Sequence, residues 1–314
     1  MKLQPIKTIP VYKDYLWGGT SLARYYHKNN ADYNIAESWE LSVHPDGMCH
    51  VGDQSLKKYI ELNPGCLGIN SVNKLEIMIK LIDAKAPLSI QVHPDNTYAN
   101  AIEHDSGKVE MWVVLKCLAD SFLYYGLNQA ITKNELETKI NNNTILDVLN
   151  KVKVKQNDIF LIEPGTIHAI GAGIVVCEIQ QSSNITYRIY DFDRKDKLGN
   201  KRELHIAKAL AVCNLQPTIV NTKPQCTLIK NKQIQLDFLR GCPYFNTYQY
   251  YVNDSVDLAV GIESFSVIIM IDGTGTVSYD DLKYELQKGE TLFIPAQKHQ
   301  LKVQGKCTFL LVTK

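Results

Sequence analysis

The chain of 314 residues lacks any long apolar run. No stretch approaches the about 20 residues that a transmembrane helix requires, and the longest candidate, residues 265–271, ends at an aspartate and a glycine. The first ten residues also lack the apolar segment and the small-residue cleavage site of a secretory signal. We therefore expect a cytoplasmic protein that does not use a membrane as a partner.

An excess of either charge is also missing. Thirty-four basic and 33 acidic residues leave a net charge of +1, which excludes nucleic-acid binding through bulk positive potential. A local basic pocket for a phosphorylated small molecule remains compatible with this balance. Glycine-rich phosphate loops and dinucleotide fingerprints are absent, which argues against the nucleotide-binding folds that depend on them.

The eight cysteines form no CxxC pair, so the sequence does not indicate a zinc knuckle. In a reducing compartment such cysteines are expected to be free thiols, most of them buried.

Short segments rich in β-branched and aromatic residues dominate the chain and predict a mainly β fold of the sandwich or jelly-roll type. The predicted strands are 113–117, 121–125, 158–162, 174–179, 186–190, 265–271, 275–279, 291–294 and 307–312. Helical patterns are fewer, and cover residues 55–62, 132–149 and 204–213.

One pattern occurs twice in the chain. An apolar strand leads to a proline and then to a histidine four residues later, once at Pro164 and His168 and once at Pro295 and His299. This repeat indicates a duplicated β module and resembles the second motif of the cupin family. A polar stretch with two prolines at 217–224 predicts a linker, so we expect one domain at residues 1–222 and a second at 223–314.

Four polar residues in the first module have the chemistry of a metal site. Gln91 and His93 share a face of a predicted strand, Glu110 follows on another, and His168 ends the first repeat. Taken singly, each has an ordinary structural explanation. Together, two imidazoles, a carboxylate and an amide oxygen suit a divalent metal, with zinc as the best fit.

The segments around these residues resemble type I mannose-6-phosphate isomerases, which are zinc-dependent cupin enzymes. The resemblance covers most of residues 10–205 in the expected order, and its motifs are Trp17-Gly-Gly, Ala36-Glu-Ser-Trp-Glu-Leu-Ser-Val-His-Pro-Asp-Gly, Gln91-Val-His93-Pro-Asp, Gly107-Lys-Val-Glu110-Met-Trp, Pro164-Gly-Thr-Ile-His168-Ala and Asn184-Ile-Thr-Tyr-Arg188-Ile-Tyr-Asp-Phe-Asp-Arg194. It implies two cupin-type jelly-roll barrels with a small helical region, as in the short bacterial form. It also implies interconversion of mannose 6-phosphate and fructose 6-phosphate through a cis-enediol, with one zinc ion per chain held by Gln91, His93, Glu110 and His168.

The resemblance also implies a catalytic set. Arg188 matches the catalytic arginine of the family, although a salt bridge to Asp191 or Asp193 is the ordinary alternative. Glu178 matches an acidic position suited to proton transfer, and a buried partner for a lysine is its alternative. Lys108 would assist ring opening or bind phosphate, or it would only balance the charge of Glu110.

Substrate binding is expected to involve Ser89, Lys80 and Glu37. Ser89 and Lys80 match phosphate-binding positions of the family, and Glu37 is expected near the metal or the substrate. Lys80 stands in an apolar stretch where an unpaired charge would be costly, although its side chain could also extend to solvent.

Two other functions compete with the isomerase. A non-catalytic cupin that binds a sugar or sugar phosphate would not require Lys108 and Arg188 beside four ligands. A metal-dependent oxygenase would favour more histidine ligands than the sequence offers. The second module has no further ligands beside His299, so we expect it to be metal-free. The only small-molecule partner expected is a phosphosugar, and the protein is expected to be a monomer or a weak homodimer.

Overall fold

The computed structural model describes residues 2–28, 34–71, 74–195 and 198–314. Strands account for 45% and helices for 13% of the chain, so the predicted mainly β fold class is confirmed. In the described parts, no helix has the length and the apolar character needed to cross a membrane. All eight cysteines are free thiols, but only four of them are buried.

The described residues form strands and helices as follows. The strands are β1 (Ile6–Lys7), β2 (Val11–Lys13), β3 (Glu37–Leu41), β4 (Val43–His44), β5 (Gly47–Met48), β6 (His50–Val51), β7 (Gln54–Ser55), β8 (Ile77–Ala84), β9 (Ile90–Val92), β10 (Glu110–Cys117), β11 (Phe122–Leu127), β12 (Leu149–Lys153), β13 (Ile159–Ile162), β14 (His168–Ala169), β15 (Ile174–Gln181), β16 (Tyr187–Tyr190), β17 (Cys226–Lys230), β18 (Ile234–Gly241), β19 (Asn246–Val252), β20 (Ser255–Val260), β21 (Ser266–Tyr279), β22 (Leu282–Gln287), β23 (Thr291–Ile294), β24 (His299–Gln304) and β25 (Cys307–Thr313). The α-helices are α1 (Ser21–Tyr26), α2 (Leu56–Leu62), α3 (Asn96–Ile102), α4 (Lys133–Asn141) and α5 (Ile206–Val212), and one 3₁₀ turn covers Ile145–Val148.

The chain divides into two compact units that are not continuous in sequence. Unit 1 comprises Met1–Lys13, Thr20–Leu81 and Lys223–Lys314, and unit 2 comprises Asp14–Gly19 and Ile82–Thr222. Unit 1 thus combines the C-terminal module with two segments from the N-terminal part of the chain. The expected domains 1–222 and 223–314 stay a prediction.

Unit 1 is built on a sheet in the order β1-β23-β21-β25-β19-β18-β17. Strand β1 pairs with β23, so that Ile6 lies opposite Phe293. Alternate apolar side chains of these strands fill a core that includes Ile268, Leu292 and Phe309, as the period of two predicts. His299 is buried here, with its ring edge-on to that of Tyr279.

Unit 2 contains a sheet in the order β12-β11-β14-β9-β16 and a group of strands in which β10 lies between β13 and β15. Helices α4 and α5 contribute Leu136, Ile140 and Ala209 to an apolar core with Ile90 and Val92 of β9. Burial of these alternate side chains fixes which face of β9 carries Gln91, because a register slip of one residue would reverse the faces.

The helix predicted at 132–149 is wrong in its second half. Helix α4 follows the N-cap Thr132, whose capping box with Glu135 is present, but it ends at Asn141. The helix ends in a run of three asparagines, residues 141–143, and the chain does not continue as a helix because Asn143, the last of the run, adopts a positive φ of 58°. Residues 145–149 instead form the 3₁₀ turn and begin β12.

Candidate metal centre

Three site residues lie in one row across the sheet of unit 2. His168 of β14 and Arg188 of β16 both pair with Gln91 of β9, one from each side. Side chains of directly paired residues project from the same face, so the three polar groups stand next to each other. The strand pairing therefore brings together residues that are far apart in sequence.

A second pair of strands supplies the acidic groups. Glu110 at the start of β10 pairs with Gln180 of β15, and Trp112 pairs with Glu178. Glu110 and Glu178 accordingly project from the same face of these strands. Lys108 precedes β10 rather than belonging to it, and its position is set by a hydrogen bond from its backbone N–H to the carbonyl of Pro94.

The two sets of strands place His93, Glu110 and His168 at one buried point. Nε2 of His168 lies 3.1 Å from Oε1 of Glu110, and Nε2 of His93 lies 3.6 Å from Oε2. One ligand atom from each of the three residues lies within 4.8 Å of the others. All three side chains are at least 99% buried, so this arrangement could hold a metal ion away from solvent.

Backbone carbonyls fix the orientation of both imidazoles. Nδ1 of His93 is 2.8 Å from the carbonyl oxygen of Ile185, and Nδ1 of His168 is 2.9 Å from that of Thr166. A carbonyl only accepts, so each Nδ1 carries the hydrogen and each Nε2 presents a lone pair toward the centre. This is the usual support of histidine ligands in metal sites.

The charges around the centre favour a neutral His93 and an ionised Glu110. Burial, together with the nearby Lys108, lowers the pKa of His93 to about 3. Burial raises the pKa of Glu110, but the charge of Lys108, together with the contacts to His93 and His168, outweighs it and holds this pKa well below its usual range. Both carboxylate oxygens of Glu110 are buried, and their close polar neighbours are Nζ of Lys108 and the Nε2 atoms of the two histidines.

Gln91 lies beside this cluster with its amide oriented by two contacts. Its Nε2 is 3.4 Å from Nε2 of His168, and the hydroxyl of Ser89 donates to its Oε1 over 3.4 Å. A rotation of the amide by half a turn would present oxygen instead of nitrogen to the centre, and these two atoms are interchangeable in such an assignment. Gln91 therefore fits as a fourth ligand.

Lys108 and Glu178 enlarge the polar cluster, and Nζ of Lys108 lies 3.4 Å from Nε2 of His93. Nζ of Lys108 is 2.8 Å from Oε2 of Glu110 and 4.0 Å from Oε1 of Glu178. The indole N–H of Trp112 donates to Oε2 of Glu178 over 2.8 Å. Lys108 does balance the charge of Glu110, and it also joins the two acids into one buried network.

Arg188 does not form the salt bridge to Asp191 or Asp193 that would explain it without a catalytic role. Asp191 is engaged by Arg194 and Arg202, and Asp193 pairs with Lys201. The guanidinium of Arg188 instead donates from Nη1 to the carbonyl of Glu203 over 2.8 Å. Its Nε is buried and has no hydrogen-bond partner in the described part of the chain.

Lys80 and Glu37 belong to unit 1. Nζ of Lys80 lies 3.6 Å from Oε2 of Glu37 and 4.6 Å from the centre of the Trp39 ring, and the Trp39 indole donates to the same carboxylate over 2.7 Å. Lys80 is only 3% exposed, so the alternative in which its side chain extends to solvent is wrong. The roles of both residues in substrate binding stay predictions.

Sequence reasoning missed two residues of this region, Trp112 and Gln180. Gln180 is fully buried and donates to the carbonyls of Gln181 and Ser183, whereas its Oε1 has no partner among the described residues. Alternation along β15 could have found it, because Gln180 follows Glu178 on the same face. Trp112 could have been found in the same way from Glu110.

Comparison with known proteins assigns the chain to a family. Residues 5–115 match the family described as phosphomannose isomerase type I, catalytic domain, and residues 234–314 match the mannose-6-phosphate isomerase cupin domain. The mannose-6-phosphate isomerase ManA of Bacillus subtilis (strain 168) is 33% identical, with 97% of each chain covered. The chain belongs to the mannose-6-phosphate isomerase family.

Solved structures of mannose-6-phosphate isomerases agree with this membership. The crystal structure of the mannose 6-phosphate isomerase from Bacillus subtilis matches with a TM-score of 0.92 and 32% identity over 99% of both chains. A structure of mannose 6-phosphate isomerase bound with zinc and yttrium matches with a TM-score of 0.76 over 98% of both chains, and at 17% identity this likeness shows the fold. The predicted resemblance and the cupin-type fold are thus confirmed, and the chain is an isomerase.

Proposed function

We propose that this protein interconverts mannose 6-phosphate and fructose 6-phosphate through a cis-enediol intermediate, using one zinc ion per chain. The observation that carries the proposal is the buried cluster of His93, Glu110 and His168, in which both Nε2 atoms and a carboxylate meet at one point. Membership in the isomerase family supports the substrates.

The donor set fits zinc. Two imidazole nitrogens, one carboxylate and the Gln91 amide oxygen suit a divalent ion of borderline softness, and zinc is the common choice for such ligands. The reaction needs no redox step, which zinc could not supply. When bound, the zinc ion would polarise the sugar oxygens and stabilise negative charge on them. The zinc-bound fold relative described above is consistent with this assignment.

Arg188 is proposed to stabilise the negative charge that develops on a substrate oxygen. Its guanidinium is always protonated and stands in the same row as Gln91 and His168. The buried Nε without a partner is the group we propose for this contact. Donors that are already oriented stabilise such charge without the cost of reorganisation.

Glu178 is the proposed group for proton transfer between C1 and C2 of the open sugar. It is 4% exposed, and Trp112 orients its carboxylate through Oε2. Lys108, which lies between Glu178 and Glu110, is proposed to help open the sugar ring by donating a proton to the ring oxygen.

Lys80 is proposed to bind the phosphate group, with Glu37 orienting the lysine, and Ser89 keeps its predicted role as a hydrogen-bond donor to the phosphate. An ammonium and a hydroxyl are suitable donors for phosphate oxygens. The contact of 3.6 Å between Lys80 and Glu37 supports the orienting role. Replacement of Lys80 by methionine should then raise KM for the phosphosugar much more than it lowers kcat.

The direct test measures bound metal and isomerisation of mannose 6-phosphate in the purified protein. We expect one zinc per chain, loss of turnover on chelation, and recovery when zinc is added back. The variant His168→Ala should lose both metal and turnover, whereas Arg188→Ala should keep the metal and lose turnover. A buried histidine outside the site, His299, offers a matched control, because His299→Ala should keep the metal. Turnover that survives complete metal removal would contradict the proposed mechanism.

A further inference from the structure

We propose that His205 is a positioning residue, which holds Arg188 in the geometry that isomerisation requires. This inference rests on the proposed function of Arg188. His205 lies in the segment between β16 and α5 and contacts Arg188 through its own backbone and through its side chain. It does not touch the metal cluster in any described contact.

Two hydrogen bonds join the backbones at this point. The N–H of His205 donates to the carbonyl of Arg188 over 2.7 Å, and the N–H of Arg188 donates to Nδ1 of His205 over 3.2 Å. Both backbone groups of Arg188 thus point away from β9, its neighbour in the sheet. In an antiparallel ladder such a residue forms the closer, non-hydrogen-bonded pair with its opposite residue, which here is Gln91.

The imidazole of His205 therefore accepts the hydrogen bond that a further strand would otherwise accept from Arg188. Strand β16 is the last in its sheet, so the N–H of Arg188 has no ladder partner of its own. Arg188 is half-buried, and a backbone donor without a partner at such a site costs free energy. Nδ1 of His205 removes this cost and fixes the backbone from which the guanidinium projects.

The same short segment also holds the guanidinium. The carbonyl of Glu203 accepts from Nη1 of Arg188, so the side chain is fixed at one of its nitrogens, while the buried Nε has no partner among the described residues. The nearby acids do not perform this function, since Asp191 is engaged by Arg194 and Arg202. Among the described contacts, those of segment 203–205 hold both the backbone and the side chain of Arg188 in place.

Helix α5 makes this restraint rigid. His205 is the N-cap residue of α5, yet its side chain makes no capping hydrogen bond to the helix and is used on Arg188 instead. Ala209 and Leu210 of α5 are buried in the apolar core of unit 2. Burial and the adjacent Arg188 charge lower the pKa of His205, which favours the neutral ring whose Nδ1 can accept.

Two substitutions separate the proposed role from a general loss of structure. In His205→Asn the amide oxygen occupies the position of Nδ1, whereas in His205→Gln the polar group reaches the position of Nε2. We expect His205→Gln to lower kcat about 10- to 100-fold, because displacement of a reacting group by about 1 Å costs up to 10² in rate. His205→Asn should recover at least tenfold of this loss, and KM and zinc content should stay within error of the wild type in both variants. Only His205→Gln should lower the thermal midpoint, because it leaves the N–H of Arg188 without its partner.

The outcomes distinguish the two proposals. If the wild-type enzyme with zinc does not isomerise mannose 6-phosphate, the proposed function fails before the variants are compared. If the wild type is active and His205→Gln matches it, the positioning role is wrong. Equal losses in the asparagine and glutamine variants, or a fall in zinc content that parallels kcat, would show a merely structural role and would also overturn the proposal.

Discussion

Replacement of Glu110 by glutamine tests the electrostatic balance of the metal centre. Glutamine keeps the shape of the side chain but removes the charge that lies 2.8 Å from Nζ of Lys108, and both groups are buried. Removal of one partner from a buried ion pair costs about 3–5 kcal/mol. Glu178 lies 4.0 Å from the same ammonium and remains as a second partner. We therefore expect the metal-free variant to lose about 3 kcal/mol of unfolding free energy, near the lower end of that range.

Lys108→Met supplies the matched control because it removes the other charge of the pair. The double variant Lys108→Met/Glu110→Gln should be more stable than the sum of the single losses predicts, with a coupling of about 2–3 kcal/mol. Urea unfolding in the presence of a chelator measures all four proteins, provided that the slopes agree. Losses that add to within about 0.5 kcal/mol would refute the reasoning, since they would show that the two charges do not interact.

Zinc addition extends the same experiment to the metal. Ligand binding to the folded state stabilises it by about 4 kcal/mol when free zinc is at 1,000 times its dissociation constant. Glu110→Gln should gain much less than the wild type at the same zinc concentration, because one ligand is lost. An equal gain would contradict the assignment of Glu110 as a ligand.

Two further predictions concern the scaffold. Gly289→Ala should lower the free energy of unfolding by more than about 3 kcal/mol, because Gly289 has a φ of +92° and an added Cβ would lie 2.1 Å from a carbonyl oxygen of α1. The control Gly52→Ala, with a φ of +57° and no neighbour within 4 Å, should lower it by only about 1–2 kcal/mol. Thermal melts measure both variants. Burial raises the pKa of Asp191, but hydrogen bonds from Arg202 and Arg194 outweigh it and lower this pKa below its usual value. Such a carboxylate stabilises the fold above its unfolded pKa of about 3.9, and this contribution is lost as the pH falls through the folded value. Asp191→Asn should therefore be less stable than the wild type at pH 7, and urea unfolding should show the difference shrinking below about pH 4.

Residue patterns predicted some strands with nearly their observed bounds, but residues 265–271 and 275–279, which were expected to form two strands, form the single strand β21 (Ser266–Tyr279). The strand expected at 291–294 has the observed bounds, and that at 307–312 is one residue short. Both segments are apolar and are bounded by turns. Because they are buried, the residue pattern and the observed strand agree. Helices α1 and α3 were not predicted, although α2 and α5, which are of similar length, were.

The site was predictable only in part. Alternation along a strand placed Gln91 and Glu110 on polar faces, but the pairing of His168 and Arg188 with Gln91 depends on long-range strand register. His205 has no local signal of its function, because its partner lies in another element and meets it only through the fold. Such contacts depend on how the strands are arranged in the fold, so they cannot be predicted from a short stretch of sequence.

The pairing of β1 with β23 has a consequence for how the protein is made. Lys7 and Leu292 are partners in this ladder, so nearly the whole chain must leave the ribosome before β1 can pair. At about 5–20 residues per second, this delay is roughly 15–60 s. During that time an N-terminal strand with unpaired hydrogen-bonding groups is exposed to other chains and to chaperones, whereas the last segment of unit 2, which ends at Thr222, is synthesised before Leu292. Unit 1 is therefore the part of the protein that stays incomplete longest during synthesis. A shorter delay would require a partner strand for β1 that is synthesised earlier.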